Sequence, residues 1–399
     1  MYLKLIKEGD IKLLVPDPDR YAKEGRFDPT WGPVFYNPRA EAVRDIDVLL
    51  LQCFARRNLG EFELVDALSA TGVRGLRYVA EVRGANLAYL NDINKNAVEL
   101  MTKNAEINGL CGKVRITNLD ADELFLFIRK VVGKMDVVDI DPYGSPSPFL
   151  HSALRTIKDG GLLCVTATDL AVLCGVYPFK CLRRYSSLTF KSSFSHEIAL
   201  RIVIGYVVRV AASYDLVTLP LLSYFLNLYL RIYFLVREGA TEASRVLNEN
   251  IGYISFCPKC LWRSWIKGIV YESAKMCPKC GSRLLIAGPL WVGSLGYREY
   301  CRSMLEELSN RKFKLRKIEE RLLRILDEEY TTSSPYFYTV SEVSRLLKVN
   351  EPSPKLIVRL LKEEGFKSSL THFSTKGFKT DADIDDIIEV VRECVKESY

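Results

Sequence analysis

Hydrophobic and polar positions follow two alternating periods in the first half of the chain. Short apolar runs are each followed by a longer stretch in which apolar residues recur three or four positions apart. The runs predict strands and the longer stretches predict helices. Strands are predicted over residues 62–67, 87–91, 113–117, 135–140 and 162–167, and helices over residues 74–82, 94–107, 121–131 and 148–157. Such alternation with short connections predicts a parallel sheet covered by helices on both faces.

The second half of the chain changes pattern. Residues 199–236 predict a long helix and two strands that extend the sheet, and residues 256–285 are rich in cysteine. Helices are predicted over residues 314–328, 341–347 and 354–364, the second of them capped by Ser341, followed by a hairpin over residues 366–378. Three helices and a β-wing predict a winged-helix-like C-terminal domain. The expected boundaries are 1–240, 241–298 and 299–399.

Composition limits the class of protein only broadly. The 399 residues are 48% hydrophobic and 26% charged, as in ordinary globular proteins, and the net charge of +7 suits a polyanionic partner without requiring one. The first residues contain no signal-peptide core, and the longest uncharged apolar stretch, residues 216–230, is too short to cross a bilayer. We therefore expect a soluble, cytoplasmic protein without a membrane partner.

The first candidate for chemistry is the loop after the first predicted strand, V-D-A-L-S-A-T-G-V-R-G over residues 65–75. Its small residues allow a ligand to approach closely, and Gly72 and Gly75 relieve steric limits. The next strand ends at Asp92, whose carboxylate can accept both hydroxyl groups of a ribose. The loop therefore predicts a cofactor that carries a nucleoside. The alternative for the loop alone is an ordinary strand–turn–helix connection.

S-adenosylmethionine fits this loop better than a nicotinamide cofactor. Dinucleotide sites use G-x-G-x-x-G because the pyrophosphate rests on exposed backbone N–H groups, and this loop lacks the first glycine. S-adenosylmethionine has no phosphate and carries a sulfonium charge. An acidic rim of Asp66, Asp92 and Asp120 suits that charge.

The second candidate is the turn after the strand expected to be fourth in the sheet, D-I-D-P-Y-G over residues 139–144. The Asp141 carboxylate and the Pro142 carbonyl can accept the N–H protons of an exocyclic amine, whose nitrogen is a poor nucleophile until its lone pair is released from the ring. Tyr143 can stack on the base. Asp139 lies on the same side of the strand as Asp141. Two nearby carboxylates tend to raise the pKa of one of them, so this pair is predicted to favour general-base behaviour. The turn predicts methyl transfer to a base; the alternative is a plain strand-ending turn.

Four of the eleven cysteines form a metal-binding pattern. Their spacing is C-x2-C-x16-C-x2-C, at Cys257, Cys260, Cys277 and Cys280. Two such knuckles place four thiolates tetrahedrally around zinc, and four protein ligands leave no open position, so a structural Zn²⁺ site is predicted. Candidate RNA contacts between the knuckles are Trp262, Arg263, Trp265 and Lys267; the alternative is that they pack on the ribbon. Further candidates are the basic run 311–317, whose alternative is a solvated helix face, and the wing segment 371–377.

These motifs together resemble the tRNA (guanine-26-N2)-dimethyltransferase family, in the compact form of its archaeal members. The matching segments, in the family's order, are residues 35–38, 66–75, 91–93, 139–146, 166–169, 174–175 and 371–374. The resemblance extends over nearly the whole chain. It implies a class I (Rossmann-like) methyltransferase sheet with a zinc-ribbon insertion and a C-terminal winged-helix-like α+β domain that binds tRNA.

The resemblance also implies roles for individual residues. It gives Asp141 as the catalytic acceptor, and Phe35 and Tyr143 as the two rings that sandwich the guanine. The residues implied to contact S-adenosylmethionine are Arg44, Arg74, Asp92, Asp120 and Ala121. Val43 stands where the family usually has asparagine, which weakens the transfer to Arg44. No obligate protein partner is implied.

Two other readings stay open. One is a methyltransferase for adenine N6 or a protein amide, which uses a similar Asp/Asn-Pro-Pro-aromatic turn; here Tyr143 follows Pro142 directly. The other is a zinc-ribbon RNA-binding protein without catalysis, against which the intact cofactor loop and catalytic turn argue.

Overall fold

The computed structural model describes residues 1–24, 26–58, 60–268, 270 and 274–396. Residues 269 and 271–273 of the predicted ribbon, and 397–399 of the predicted C-terminal domain, lie outside the described residues. The chain divides into two compact units. Unit 1 comprises Met1–Ala167, Tyr233–Glu238 and Ser303–Glu320, and unit 2 comprises Thr168–Ile232, Gly239–Arg302 and Arg321–Tyr399. Within the described ranges, no helix has the length and apolar character needed to cross a membrane.

Strands and helices alternate from the N-terminus to Ala167. In chain order they are β1 (Leu3–Glu8), β2 (Ile11–Pro16), α1 (Pro18–Tyr21), α2 (Glu41–Asn58), β3 (Phe62–Asp66), α3 (Val73–Glu81), β4 (Ala85–Asn91), α4 (Lys95–Ile107), β5 (Val114–Thr117), α5 (Ala121–Phe127), β6 (Met135–Ile140), α6 (Leu150–Leu154) and β7 (Ile157–Ala167). The strand–helix alternation predicted between residues 62 and 167 is therefore present.

The remaining elements include two further small sheets. In chain order they are α7 (Leu170–Leu173), α8 (Pro178–Tyr185), α9 (Ser195–Ala212), β8 (Leu216–Leu226), β9 (Tyr229–Glu238), α10 (Ala240–Asn250), β10 (Ile251–Phe256), β11 (Arg263–Lys267), β12 (Leu285–Trp291), α11 (Arg298–Ser309), α12 (Arg316–Glu329), β13 (Tyr338–Thr339), α13 (Val340–Leu347), α14 (Pro354–Glu363), β14 (Ser368–Leu370), β15 (Gly377–Thr380) and α15 (Ile384–Lys396).

The main sheet has the strand order β5-β4-β3-β6-β7-β9-β8, and its first five strands are parallel. From β3 the chain moves outward to β4 and β5, then returns to add β6 on the other side of β3. The order of strands therefore reverses between β3 and β6, where Asp66 lies opposite Asp139 in the register. Crevices at such reversals are where open α/β sheets bind ligands. The predicted class of fold is confirmed.

Two details of the prediction were wrong. The helix expected over residues 148–157 is reduced to α6, because the Thr156 N–H and hydroxyl bond back to the Ala153 and Ser152 carbonyls and Ile157 already pairs with Met135 as the start of β7. Helix α13 is capped by Thr339, not Ser341. The Thr339 hydroxyl accepts from the Glu342 N–H, and the Glu342 carboxylate accepts from the Thr339 N–H. This capping box is why the helix begins at Val340 and not after Ser341.

Unit 2 contains the cysteine segment and the predicted wing. Strands β11-β10-β12 form one antiparallel sheet, and β13-β15-β14 form another beside α13, α14 and α15. The Arg263 guanidinium is buried, 4.0 Å from the Tyr338 ring centroid and 4.2 Å from that of Phe194, and it pairs with Glu342. The prediction that Arg263 contacts RNA is therefore wrong. Its cation is used inside the unit, in cation–π and ionic contacts.

The wing segment is also more buried than expected. His372 Nδ1 lies 2.6 Å from Glu329 Oε2, its Nε2 accepts from the Phe225 N–H, and the Thr371 hydroxyl donates to Glu329. Burial raises the pKa of Glu329, but His372 and Lys379 outweigh burial and lower that pKa to about 2. Thr371 and His372 therefore stabilise the domain, and the prediction of phosphate contact is wrong for these two side chains. Contact by the exposed Thr375 and Lys376 stays a prediction.

Candidate functional site

The two sequence motifs meet at one edge of the main sheet. The Ala67 N–H, at the end of β3, donates to the Asp139 carbonyl, near the end of β6, at 3.2 Å. Asp66 and Asp139 are neighbours in the register, so the cofactor loop and the D-P-Y-G turn leave the sheet side by side. The position is the strand-order reversal, at the carboxyl ends of parallel strands.

The loop between β3 and α3 depends on left-handed backbone. Ala70 has φ +49° and Gly72 has φ +77°, and a Cβ on Gly72 would lie 2.9 Å from the Met101 Cβ. At Gly75 an added Cβ would lie 2.2 Å from Leu90 Cδ2, so any larger residue there would force the Leu90 side chain to move. The left-handed backbone of Ala70 is strained, because a Cβ is disfavoured in that conformation. Such strain is typical of loops that bind a ligand.

The predicted ribose-binding carboxylate braces this loop. Asp92 Oδ2 accepts from the Ala70 N–H and Oδ1 from the Asn94 N–H, both at 2.9 Å. The next side chain, Ile93, is 68% exposed although apolar. One strand further along, Asp120 caps α5 by accepting from the Asp122 N–H, and Ala121 is the buried first residue of that helix.

Asn91 joins the ends of three strands, a role that the sequence did not reveal. Its Nδ2 donates to the carbonyls of Ala67 and Leu119, and its Oδ1 accepts from the Leu119 N–H and the Thr117 hydroxyl. Asn91 is buried, so these bonds satisfy polar groups that water cannot reach. The side chain therefore fixes the relative positions of the loops after β3, β4 and β5.

Arg74 lies at the centre of a cluster of carboxylates. Its Nη2 is 2.5 Å from Asp141 Oδ2, its Nε is 3.9 Å from Asp139 Oδ2, and its Nη1 pairs with Asp47. Arg74 and its partners Asp47 and Asp139 are buried, whereas the Asp141 side chain is 24% exposed. The guanidinium therefore holds one partly exposed carboxylate from inside the protein.

Two further hydrogen bonds orient this cluster. The Tyr78 hydroxyl donates to Asp139 at 2.7 Å, and the Tyr233 hydroxyl donates to Asp47 at 2.5 Å. Asp47 and Tyr78 were missed by sequence reasoning. The available signal for Asp47 was an acidic residue in the largely apolar part of a helix, D-I-D-V-L-L-L, because a carboxylate at such a position needs a buried partner.

Asp66 is a buried acid at this edge whose pKa is raised. Burial raises its pKa well above the ordinary value, and the nearby carboxylates of Asp139 and Asp141 raise it further. The Gly75 N–H donates to Asp66 Oδ2 at 3.2 Å. Burial and the neighbouring carboxylates therefore disfavour the charged form of Asp66.

The two predicted stacking rings are in contact with each other. The Phe35 and Tyr143 centroids lie 5.8 Å apart with their planes at 56°, and Tyr143 is 78% exposed. A base between them needs parallel rings about 7 Å apart, twice the carbon–carbon contact distance of ~3.5 Å. The rings must therefore separate by roughly 1 Å and turn, and the exposed Tyr143 has room to do so. Pro142 between the ring and Asp141 is buried.

Arg44 is bound inside the protein by Glu8. Its Nε and Nη2 donate to the two Glu8 oxygens at 2.6 and 2.7 Å, and its Nη1 donates to the Asn37 carbonyl at 3.3 Å. The Tyr36 hydroxyl also donates to Glu8. The Glu8–Arg44 pair therefore anchors the segment that carries Phe35, and contact of Arg44 with the cofactor stays a prediction.

The Glu8 cluster makes stability depend on pH. Burial raises the pKa of Glu8, but Arg44 and Arg77 outweigh burial and lower it from 4.5 to about 2. A depressed pKa stabilises the fold above pH 4.5, and the contribution of about 3 kcal/mol is lost as pH falls from 4.5 to 2. We expect Glu8→Gln to be clearly less stable than the parent in urea at pH 7, with the difference shrinking towards pH 2. Glu61→Gln, which alters an exposed carboxylate, is the control; a difference that does not change with pH would contradict the assignment.

The four cysteines converge in unit 2. Their sulfur atoms all lie within 4.8 Å of one another, with Cys257–Cys280 at 3.4 Å and Cys260–Cys277 at 3.6 Å. Tetrahedral thiolates about 2.3 Å from a metal are about 3.8 Å apart. The two knuckles repeat one geometry: the Leu261 and Gly281 N–H groups, both on left-handed residues, donate to the first cysteine carbonyl of each knuckle. The donor set fits Zn²⁺.

The fold and the sheet edge together define a class of protein. The main sheet has seven strands and is mostly parallel. The loop after β3 is rimmed by acids and lacks the G-x-G-x-x-G pattern of phosphate-binding loops, and an Asp-Pro-Tyr turn follows β6. This is the arrangement of a Rossmann-like, S-adenosylmethionine-dependent methyltransferase. A solved structure of Trm1 from Pyrococcus horikoshii with S-adenosyl-L-methionine is similar over 98% of this chain and 100% of that chain, with a TM-score of 0.84 and 33% identity.

Comparison of sequences gives the particular family. The profile of the N2,N2-dimethylguanosine tRNA methyltransferases matches residues 14–392. Relatives named tRNA (guanine(26)-N(2))-dimethyltransferase include those of Sulfurisphaera tokodaii, 40% identical over 98% of this chain and 100% of the relative, and Methanobrevibacter smithii, 36% identical over 98% and 97%. The chain belongs to the N2,N2-dimethylguanosine tRNA methyltransferase family, as the sequence motifs had predicted.

Proposed function

We propose that this chain methylates the exocyclic N2 of guanine 26 in tRNA with S-adenosylmethionine, giving N2-methyl- and N2,N2-dimethylguanosine. The observation that carries the proposal is the register of Asp66 with Asp139, because it brings the cofactor loop beside the Asp141 turn. The names of the relatives supply the base and the position. The adenine and non-catalytic alternatives have no such support.

The cofactor is expected to lie along the loops after β3, β4 and β5. The left-handed loop at Ala70 and Gly72, with small side chains, fits a ligand that approaches the backbone. Asp92 is proposed to accept the ribose hydroxyls, and the exposed Ile93 to cover one face of the adenine. Asp66, Arg74, Asp120, Ala121 and Arg44 complete the proposed contacts. When bound, S-adenosylmethionine supplies an electrophilic methyl group.

The chain's own part in catalysis is to hold and polarise the amine. The Asp141 carboxylate and Pro142 carbonyl are proposed to accept the two N2–H protons, which localises the nitrogen lone pair, while Phe35 and Tyr143 clamp the ring. The contacts of Arg74 with Asp141 and Asp47 support a positioning role for Asp47. Asp139, bound by Tyr78, is proposed to support the same geometry rather than touch the base.

Asp92→Ala is expected to weaken S-adenosylmethionine binding roughly ten- to a hundredfold, because charge-assisted hydrogen bonds contribute about 1.5–3 kcal/mol. Isothermal titration checks the affinity. The sharper readout compares S-adenosylmethionine with its 2′,3′-dideoxy analogue: the parent should prefer the natural cofactor, and the variant should bind both alike. A variant that keeps the full preference would show that another group binds the ribose.

We further propose that the four cysteines bind one structural Zn²⁺. The proposal is supported by the closed set of four thiolates and their near-tetrahedral sulfur separations. Three domains are proposed: a catalytic domain over residues 1–240, a zinc ribbon over residues 241–298 and a tRNA-binding domain over residues 299–399. The enzyme is proposed to be cytoplasmic and to need no obligate protein partner.

Nucleoside mass spectrometry tests the proposed reaction. Unmodified tRNA is incubated with the protein and methyl-labelled S-adenosylmethionine, then digested. We expect labelled N2-methylguanosine followed by N2,N2-dimethylguanosine, and loss of both when guanine 26 is replaced by adenine. Labelled N6-methyladenosine would support the first alternative, and no labelled nucleoside would support the second.

A further inference from the structure

Helix α8 and its flanks expose an unusual number of apolar side chains. Phe179 is 77% exposed and Tyr177 57%. The other exposed apolar residues of this segment, called here the α8 surface, are Val176, Leu182 and Leu188. Exposed apolar residues are ordinary one at a time, but a cluster of them marks an interaction site.

The α8 surface is built on a firmly anchored helix. Cys181 and Tyr185 are buried, and the Tyr185 hydroxyl donates to Asp169 at 2.8 Å. Arg184 pairs with the same carboxylate at 3.0 Å, and Arg209 donates to the Tyr185 carbonyl. The inner side of the helix therefore has its partners within unit 2. Its exposed side is fixed in place before any partner binds.

The charges within the sequence segment that forms this surface have one sign. From residue 170 to residue 196 the sequence has no aspartate or glutamate and four cations. Arg184 is paired internally, whereas Lys180, Arg183 and Lys191 make no ion pair with any residue that the structure describes. Phe179 and Arg183 lie four positions apart, on one face of the helix. Aromatic rings among unpaired cations are the composition of surfaces that bind unstacked nucleic-acid bases.

We propose that the α8 surface binds the tRNA substrate, with Tyr177 and Phe179 stacking on bases and Lys180, Arg183 and Lys191 facing phosphates. The proposal rests on the proposed function, which supplies the RNA. Unstacked bases in RNA loops offer their faces to aromatic side chains. Exposed rings held on a rigid helix can stack on such bases at little entropic cost.

The test measures tRNA binding and cofactor binding separately in the full-length protein. Phe179→Ala is expected to raise the tRNA dissociation constant roughly five- to a hundredfold in filter binding, while leaving S-adenosylmethionine affinity unchanged. Phe179→Tyr, which keeps the ring, should retain tRNA affinity. Arg183→Ala should reduce the slope of log affinity against log salt by about 1. Matched controls on α4 are Ile107→Ala, which removes an apolar side chain of 43% exposure, and Lys103→Ala.

Each outcome separates the proposals. Unchanged tRNA affinity in Phe179→Ala would overturn the role of the α8 surface in tRNA binding. If the same variant also changed its oligomeric state in sedimentation, the α8 surface would be a contact between copies of the chain. Failure of the parent protein to methylate tRNA would instead reject the proposed function, because binding by the α8 surface is measured without turnover.

Discussion

Asp141→Ala is expected to lower kcat for tRNA methylation by about 10²- to 10⁴-fold, the usual contribution of a group that accepts a proton from the reacting atom. The loss follows because Asp141 is the partly exposed carboxylate that the buried Arg74 directs from within. The dissociation constant of S-adenosylmethionine should change by much less than kcat. Single-turnover methylation with saturating cofactor and tRNA measures the effect directly.

Asp136→Asn is the matched control for Asp141. Asp136 is a carboxylate at the opposite end of β6, where it pairs with Lys158 and accepts from the Glu63 N–H. We expect that variant to keep near-parental turnover. If Asp141→Ala retained turnover within a few-fold of the parent, Asp141 would not be the acceptor and the catalytic proposal would fail.

Cys277→Ser is expected to abolish stoichiometric zinc binding and to open the ribbon. Apparent binding free energies for structural zinc sites are about 10–16 kcal/mol, far more than a segment of this size gains from its small core of Cys257, Cys277 and Leu284. Zinc per chain, measured by plasma mass spectrometry, should fall from one to near zero. Limited proteolysis should then cut between β10 and β12.

Cys111→Ser is the control for the zinc experiment, since Cys111 is an exposed cysteine outside the cluster. It should keep one zinc per chain and the parental cleavage pattern. Stoichiometric zinc in Cys277→Ser would contradict the four-thiolate site. Ordered refolding of metal-free protein by added Zn²⁺ would confirm that the metal acts on the fold.

Local patterns predicted much of the methyltransferase sheet. The apolar runs that became β3, β4 and β6 are buried along most of their length, so their hydrophobicity is nearly continuous and the strands are easily recognised. The edge strand β5 has only its first residue, Val114, buried. The helix before β7 was predicted too long because hydrogen bonds from Thr156 end it early. The spacing of apolar residues carries no information about those bonds. At α13 two candidate caps, Thr339 and Ser341, stand close together, and only the Glu342 partner distinguishes them.

The candidate site was predictable where its residues follow strands. Asp92 and Asp141 come directly after buried strands, so their positions follow from the sheet alone. Asp47 and Tyr233 could not be placed in this way, because Asp47 reaches Arg74, and Tyr233 reaches Asp47, from segments distant in sequence. Arg263 shows the opposite error, since an arginine beside a metal knuckle suggested RNA contact but is enclosed by aromatic rings.

The central claim is that the carboxyl edge of β3 and β6 brings the methyl donor to an amine held by Asp141. A crystal structure with bound S-adenosylhomocysteine tests it most directly. We predict the ribose hydroxyls on Asp92, the adenine beside Ile93, and the sulfur facing the Asp141 carboxylate. Density for the ligand away from the loop over residues 66–75, or with its sulfur directed away from Asp141, would contradict the account.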